Sequence, residues 1–475
     1  MFLFSQIRKE WHVPNGYKEI LRIGLPLVAG MLSTTLMQFF DRLFLSHYSV
    51  DAIAAAAPAA YAYMTVLFFL MGIVSYTSVI VAQYTGSQAP HRVGPAVWQG
   101  IWCAVIGGLA LANLIWVAEP LFAFAGHDKQ VQELEVLYFS ILSCAGVLPL
   151  LNSALSCFFT GRGETRPVLV ANVLATTLKI PLDLMLIFGF GPIPSLGIAG
   201  AGISTIIATS ASVIMLSWLA FKRANEKIYF IRSQWRLQWD MFKRLLRFGI
   251  PSGFNMMLDL FVAFFFIMKV GVLGKVPLAA SNIAMALNSP IFMPMLGLNL
   301  AVAILVGQAM GAGKHDEVVQ VTRRCLIMAF MYMAPMACLL ALFAGPLVEL
   351  FAPSGVSAAE FVPVKEVGMY LIYYVAIYSL VDAASIIYFG ALKGGGDTKG
   401  IMYIMLLALT FIFFTPLKII EFLDKQTIHT FWIVMTVYII FLALASTLRF
   451  RQGKWRSIRV VETAKEEHKG AAHDI

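Results

Sequence analysis

The chain has 475 residues, of which 59% are hydrophobic and only 13% are charged. Soluble domains carry about 25% charged residues, so this composition excludes a soluble globular protein. The net charge of +9 does not indicate a nucleic-acid-binding protein, because the basic residues border apolar segments and form no recognisable binding module.

Twelve apolar segments follow one another along the chain, and each has the roughly 20 residues that a helix needs to cross the hydrocarbon core of a bilayer. Their predicted bounds are 20–45, 55–84, 95–118, 134–158, 167–189, 196–220, 246–272, 280–309, 325–345, 366–391, 400–420 and 430–449. Backbone groups cannot stay unpaired in lipid, and these runs lack the alternation of barrel strands. We therefore predict an all-α polytopic membrane protein with twelve transmembrane helices.

The polar breaks divide these segments into two sets of six. We predict an N-lobe at 1–220, a cytoplasmic amphipathic linker at 221–245, a C-lobe at 246–449 and a cytoplasmic tail at 450–475. The linker mixes aromatic and basic residues, which is typical of a helix lying on the surface of an anionic leaflet.

Lysine and arginine are unevenly distributed between the predicted loops. Placing both termini and every even-to-odd loop on one side collects 27 of the 35 basic residues there. The opposite loops hold four, namely Lys129, Lys275, Lys365 and Lys425. The positive-inside rule then predicts that both termini and the linker are cytoplasmic.

The two halves share short motifs at constant offsets. LRIGLP at 21–26 recurs as LRFGIP at 246–251, and AQYTGS at 82–87 recurs as GQAMGA at 307–312, both at an offset of 225 residues. GRGETR at 161–166 aligns with KGGGDTK at 393–399 at an offset of 233. The pattern predicts a parallel repeat, which suits a transporter that alternates between two open states.

The order of motifs resembles one transporter family over residues 18–449. The first half carries MQFFDRLFLS, VAQYTGS, GRGETRP, PLDLMLIFG and GIAGAGIST, and the second half carries LDLFVAFFF, ALNSPIFMPMLGLNLAVAILVGQAMG and VDAASIIYFGALKGGGDTK. Together they resemble the multidrug and toxic compound extrusion (MATE) family, and the second half resembles its bacterial NorM branch.

This resemblance implies two pseudo-symmetric six-helix lobes and a secondary active antiporter. Such a protein exports hydrophobic or cationic drugs and toxic compounds in exchange for Na⁺ or H⁺. The resemblance also implies a multi-pass protein of the bacterial cytoplasmic (inner) membrane. We expect a monomer that binds small substrates and lipid but no nucleic acid, and that needs no cofactor besides the coupling ion.

Ionisable side chains inside the spans are the candidates for cation coupling, because each costs several kcal/mol in lipid unless it is paired or hydrated. They are Asp41, Lys179 and Asp183 in the first half, and Asp259 and Asp382 in the second. The resemblance implies that the first-half acids form the coupling pair with the hydroxyl of Thr205. It also implies that Asp259 and Asp382 are the NorM-type acids, with Na⁺ as their possible ligand.

Lys179 departs from the family pattern, which usually has asparagine one turn before the second N-lobe acid. A charged ammonium has no lone pair and cannot coordinate Na⁺, so sodium binding in the N-lobe is put in doubt. Lys179 and Asp183 are four residues apart and lie on nearly one helix face. Three roles remain open for Lys179: an internal counter-ion, a group that itself exchanges protons, or a member of a static ion pair.

Neutral polar residues near the C-lobe acids could coordinate a cation, line the substrate cavity or only pack helices. They are Asn255, Asn282, Asn288, Tyr373 and Tyr378.

Two other classes of function fit the sequence less well. A lipid-linked precursor flippase of the same wider superfamily would be expected to have a basic cavity for pyrophosphate, whereas these spans hold acids. An enzyme would need a catalytic motif, and the sequence has no HExxH, GxSxG or Walker loop. The five cysteines show no CxxC or Cys/His spacing, so we expect no metal site.

Overall fold

The computed structural model of the protein describes residues 7–125, 128–191, 194–352 and 358–461. Within these residues, 12 helices are long and apolar enough to cross a bilayer, which confirms the predicted all-α polytopic fold. The spans are α1 (Tyr17–Tyr48), α2 (Ala55–Gly86), α3 (Pro90–Ala112), α4 (Lys129–Thr160), α5 (Arg166–Phe188), α6 (Ile198–Ala220), α7 (Trp239–Gly271), α8 (Lys275–Gly311), α9 (His315–Leu342), α10 (Phe361–Gly394), α11 (Thr398–Phe422) and α12 (Ile428–Arg451). Each predicted segment overlaps one of these helices.

Besides α3, which begins with the 3₁₀ helix Pro90–Arg92, three spans consist of more than one helical piece. The pieces are Val50–Ser75 and Thr77–Gly86 in α2, Lys129–Cys144 and Val147–Thr160 in α4, and Thr398–Leu407, the π-helical Ala408–Phe414 and Thr415–Phe422 in α11. Backbone groups freed at such breaks need other partners in lipid. The thiol of Cys157 lies 3.6 Å from the carbonyl oxygen of Ser75, and the hydroxyl of Thr415 donates to the carbonyl oxygen of Thr410 at 2.8 Å.

Short helices connect some of the spans. Ile115–Ala125 joins α3 to α4, Arg223–Tyr229 joins α6 to α7, and Ala344–Glu349 follows α9. Of the predicted amphipathic linker 221–245, residues 239–245 belong to α7, and residues 221–238 are helical only over the two turns Arg223–Tyr229.

The sequence repeat reappears as equivalent helix contacts. A side-chain carbon on Gly161 of α4 would lie 2.6 Å from the carbonyl oxygen of Ser78 in α2. In the second half, one on Gly394 of α10 would lie 2.5 Å from the carbonyl oxygen of Ala303 in α8. The glycines differ by 233 residues and the partners by 225, the two offsets of the sequence repeat. Glycine lets the backbones approach closely at both places.

The ends of α2 and α8 meet in a reciprocal contact that we call the glycine seam, formed by Gln83, Gly86, Gln308 and Gly311. A side-chain carbon on Gly86 would overlap the backbone of Gln308, and one on Gly311 would overlap the backbone of Gln83. Each residue of one helix is offset by 225 from its counterpart, as a pseudo-two-fold axis requires. The side-chain amide of Gln308 also donates to the carbonyl oxygen of Gly161 at 3.0 Å.

The described chain separates into two compact units. One holds the chain up to Gly24, Leu258–Val306 and Lys314–Ile458, and the other holds Leu25–Met257 and Gly307–Gly313. The boundaries fall inside α1, α7 and near the end of α8, so these three helices contribute to both units. The glycine seam lies within the second of them.

Candidate cation-coupling site

Lys179 lies between two carboxylates in the first half of the chain. Its ammonium on α5 donates to Asp183 at 3.0 and 2.9 Å and also to Asp41 on α1. The side chains of Lys179 and Asp183 are 0% exposed, whereas that of Asp41 is 18% exposed. The structure thus brings the three predicted ionisable residues together and leaves one carboxylate partly accessible.

Ser204 supplies the hydroxyl of this cluster, the role that the family resemblance implies for Thr205. The Ser204 hydroxyl on α6 hydrogen-bonds a carboxylate oxygen of Asp183 and lies 3.4 Å from the Lys179 ammonium. Thr205 instead donates to the carbonyl oxygen of Ala201 at 2.8 Å. Adjacent helix residues point about 100° apart, so only one of the two hydroxyls faces α5. The Ser-Thr sequence does not indicate which of the two hydroxyls faces α5.

Small and polar residues hold α1 against α5 beneath the cluster. The hydroxyl of Ser33 donates to that of Thr176 at 2.8 Å. A side-chain carbon on Gly30 would lie 2.9 Å from the amide nitrogen of Asn172, so glycine makes room for that amide. Such contacts allow close helix approach in a bilayer, and they bring Asp41 within reach of Lys179.

The charges of the cluster leave no free position for a metal ion at its centre. Two carboxylates face one ammonium, so the fully ionised cluster carries a net charge of −1. The ammonium already occupies the point where the carboxylates converge, and it is a donor without a lone pair. Tyr138 of α4 lies within electrostatic reach of both Asp41 and Asp183.

The acids of the second half are arranged differently. Asp382 of α10 is partly buried and accepts a hydrogen bond from Ser385 at 2.5 Å. Asp259 of α7 is exposed, and Asp382 is the charged group that acts on it electrostatically. Tyr438 of α12 lies within electrostatic reach of both Asp259 and Asp382. An exposed carboxylate inside a span is tolerable only where it faces water or a partner, which favours an open cavity beside Asp259.

The five neutral residues predicted near these acids fall into three groups. The side-chain oxygens of Asn255 and Asn288 are buried and accept no hydrogen bond within the described part of the chain. Asn282 and Tyr373 are exposed. Tyr378 is buried and stacks on Trp432 of α12, with ring centroids 6.5 Å apart. The two asparagine oxygens are thus available to a ligand, and Tyr378 packs two helices together.

Sequence reasoning missed several polar residues of these sites. They are Ser204 and Ser385. Outside these sites, the buried carboxylate of Glu135 on α4 was not singled out either, because it lies at the edge of its predicted segment. Among the described residues, no three His, Cys, Asp or Glu side chains are grouped to hold a metal ion.

Comparisons with known proteins agree with the fold. The family model MatE matches residues 26–185 and 251–418, more than half of the chain. “Probable multidrug resistance protein NorM” of Thermotoga maritima is 25% identical over 470 residues, covering 98% of this chain and 99% of that protein. The protein of the same name from Pseudomonas putida is 28% identical over 385 residues, covering 80% and 82%.

Solved structures show the same architecture. An “outward-facing conformation of a multidrug resistance MATE family transporter of the MOP superfamily” superposes with a TM-score of 0.83 at 19% identity, over 93% of this chain and 97% of that one. A MOP superfamily transporter from Pyrococcus furiosus, described by a reverse polarity of its binding pocket, gives a TM-score of 0.84 at 18% identity with the same coverage. Because the family model matches both halves, the chain belongs to the MATE family, the multidrug and toxic compound extrusion family of membrane transporters.

Proposed function

We propose that the protein is a secondary active antiporter that exports hydrophobic or cationic compounds in exchange for a cation. The relatives that cover most of the chain are named as multidrug resistance proteins, which supports drugs as the substrate class. The lobes 1–220 and 246–449 are the bodies that alternate access, and buried ionisable groups in both provide the means of coupling.

The proton is the coupling ion of the N-lobe. The observation that carries this assignment is the ammonium of Lys179 held between Asp41 and Asp183. A tethered cation already occupies the point between the two carboxylates, repels Na⁺ from it and offers Na⁺ no lone pair. A proton needs no vacant position between the carboxylates, because it binds a single carboxylate oxygen.

Asp41 is the carboxylate that exchanges this proton. It is the partly exposed member of the cluster, whereas Asp183 is fully buried and held by both Lys179 and Ser204. When Asp41 takes up a proton, its ion pair with Lys179 ends and Lys179 and Asp183 remain as a neutral pair. When it releases the proton, the pair re-forms and the net charge returns to −1. One proton per cycle thus changes the bonding between α1 and α5.

Asp259 and Asp382 form a second coupling site, which binds H⁺ or Na⁺. No ammonium lies between them in the described contacts, and the buried oxygen of Asn288 is not engaged by the described residues. Carboxylate and amide oxygens are suitable ligands for hard cations, so sodium remains a candidate here. The ion pairing of Lys179 with two acids gives no support to a basic pyrophosphate cavity, which a lipid-linked precursor flippase would need.

Drug efflux from proteoliposomes tests the proposal. Vesicles containing the purified protein are loaded with ethidium, and an inward pH gradient or an inward Na⁺ gradient is imposed separately. We expect the pH gradient alone to drive efflux in the unmodified protein. Efflux driven only by Na⁺ in the unmodified protein would contradict proton coupling. An absence of efflux under both gradients, for several cationic dyes, would contradict drug export itself.

A further inference from the structure

The connection between α6 and α7 is pinned along the beginning of α3. We call residues 221–238 the strap. The indole nitrogens of Trp98 and Trp102 donate to the carbonyl oxygens of Ile231 and Trp235 at 2.5 and 3.0 Å. Gln99 accepts from the backbone nitrogen of Gln238 at 3.2 Å. These three hydrogen bonds, at Ile231, Trp235 and Gln238, fix the backbone of the strap.

The strap is also held by its own side chains. Glu226 accepts from the backbone nitrogen of Arg232 at 2.5 Å, and the guanidinium of Arg232 donates to the carbonyl oxygen of Phe221 at 2.7 Å. Burial disfavours the charged form of Glu226, but the hydrogen bonds from Arg232 and Ser233 outweigh it and lower its pKa. Ile231 is fully buried, and a side-chain carbon on Gly94 would lie 3.0 Å from its α-carbon. The strap is thus a fixed surface and not a loose tether.

The exposed surface of the strap and of the first residue of α7 carries large apolar side chains. Trp235 is 51% exposed and Trp239 is 57% exposed. The other exposed apolar residues of this stretch are Ile228, Phe230 and Leu237. The stretch begins where α6 ends at Ala220 and runs into α7 at Trp239, so it lies at the level where two spans leave the bilayer.

Basic side chains surround these apolar groups. Residues 221–247 contain eight basic and two acidic residues, which gives a net charge of +6. The exposed basic residues are Lys222, Arg223, Lys227, Arg232, Arg236, Lys243 and Arg247. Lys222 lies 4.3 Å from the ring centre of Trp218, and Lys243 lies 5.5 Å from that of Trp239. Charge and aromatic surface are therefore interleaved.

We propose that this face, which we call the strap face, binds anionic phospholipids of the leaflet it adjoins. The basic side chains bind the lipid phosphates, and the exposed tryptophans enter the headgroup layer, where indole rings are favoured. The leaflet is the cytoplasmic one if the topology proposed above is correct. A bilayer is already present at this level, and it supplies both the negative charge and the apolar boundary that the face needs. An acidic soluble protein would supply only the negative charge.

The test compares two variants with the same loss of charge. Lys227→Gln, Arg236→Gln and Lys243→Gln neutralise the strap face at side chains that take no part in the hydrogen bonds pinning the strap. Lys129→Gln, Lys275→Gln and Lys425→Gln neutralise exposed lysines of other loops and serve as the control. Arg232 is left intact, because its guanidinium holds the strap in place.

Lipid retention is measured on the purified full-length chain in nonionic detergent, by native mass spectrometry with dioleoyl phosphatidylglycerol and dioleoyl phosphatidylcholine. We expect the parent and the control to retain phosphatidylglycerol preferentially, and the strap variant to bind it more weakly by on the order of a hundredfold at low ionic strength. An equal loss in both variants, no loss in the strap variant, or equal retention of the two lipids by the parent would overturn the proposal. Displacement of the lipid by millimolar inorganic phosphate would show a site for the free anion instead.

A second measurement locates the tryptophans. Phosphatidylglycerol with brominated acyl chains quenches indole fluorescence on contact, so the quenched fraction should fall in Trp235→Phe and Trp239→Phe. Unchanged quenching in both variants would contradict insertion of the face. Neither experiment requires transport activity, so a failure of lipid binding and a failure of drug export are distinguishable.

Discussion

Ser204 and Thr205 are neighbours on α6 with different partners. Ser204 bonds a carboxylate of the buried cluster, and Thr205 bonds the backbone of its own helix. The pair therefore forms a matched test of which hydroxyl takes part in coupling.

We expect Ser204→Ala to impair proton-driven efflux and Thr205→Ala to leave it nearly unchanged. A hydrogen bond to a charged group contributes about 1.5–3 kcal/mol, so loss of the Ser204 hydroxyl weakens the hold on ionised Asp183 and shifts the pH profile of efflux. The profiles are measured in proteoliposomes at equal protein content. A larger effect of Thr205→Ala would show that Thr205 is the coupling hydroxyl in the working state.

Lys179 is the residue on which the ion selectivity of the N-lobe depends. Lys179→Ala leaves the buried carboxylate of Asp183 and the partly exposed one of Asp41 without their cation. A broken buried pair costs about 3–5 kcal/mol, so we expect a clear fall in thermal stability. Lys425→Ala, an exposed lysine, is the control. Lys179→Asn restores a neutral oxygen donor, and we expect it to create saturable Na⁺ binding in a background of Asp259→Asn and Asp382→Asn. Sodium binding in that background with Lys179 intact, abolished by Asp183→Asn, would refute the counter-ion role.

Asp259 and Asp382 are expected to be required for coupled transport. Asparagine keeps the shape of each side chain but cannot ionise, so the exchange removes the titratable charge facing the cation. We expect gradient-driven efflux to fall at least tenfold in each single variant, as judged from initial rates. Unchanged efflux in both variants at equal membrane abundance would remove these residues from the coupling site.

At the scale of helices, the glycine seam makes a stringent steric demand. An alanine at Gly86 or Gly311 would overlap a backbone, which cannot rotate away as a side chain can. We expect either exchange to destabilise the protein by about 1–3 kcal/mol, the typical effect of overpacking, and to lower its melting temperature in detergent.

The control for the seam is Gly271→Ala at the end of α7, where an added carbon would lie 3.9 Å from the nearest side-chain atom, an ordinary contact. Alanine there should be neutral or slightly stabilising, because glycine is the poorer helix former. If Gly86→Ala and Gly311→Ala are as stable as Gly271→Ala, the ends of α2 and α8 are not in this close contact in the working protein.

At the scale of the whole molecule, the unequal distribution of charge predicts the orientation. We expect a single cysteine at Lys227, in a cysteine-free background, to be inaccessible to a membrane-impermeant maleimide in intact cells, and one at Lys425 to be labelled. The reason is that basic loops are retained in the cytoplasm. Labelling at position 227 from outside would reverse the proposed topology.

The sequence alone determined the number of spans, the repeat and the family. Hydropathy and length are local properties, so twelve apolar runs could be counted without tertiary information, and each overlaps a helix. The shared offsets identified the repeat, because two copies of one fold keep the same spacing between equivalent residues. The acids Asp41, Asp183, Asp259 and Asp382 were also evident from sequence, since an ionisable residue in an apolar run stands out.

Only the tertiary structure decided which groups meet. Lys179 reaches Asp41, which is 138 residues away, and sequence could pair it only with Asp183 on its own helix. The choice of Ser204 over Thr205 depends on the rotation of α6 about its axis, and hydropathy does not specify that rotation. The linker was expected to be a surface helix, but its indole and amide partners on α3 fix an irregular strap instead. Contacts of this kind depend on the relative placement of distant segments, and composition and periodicity do not contain that information.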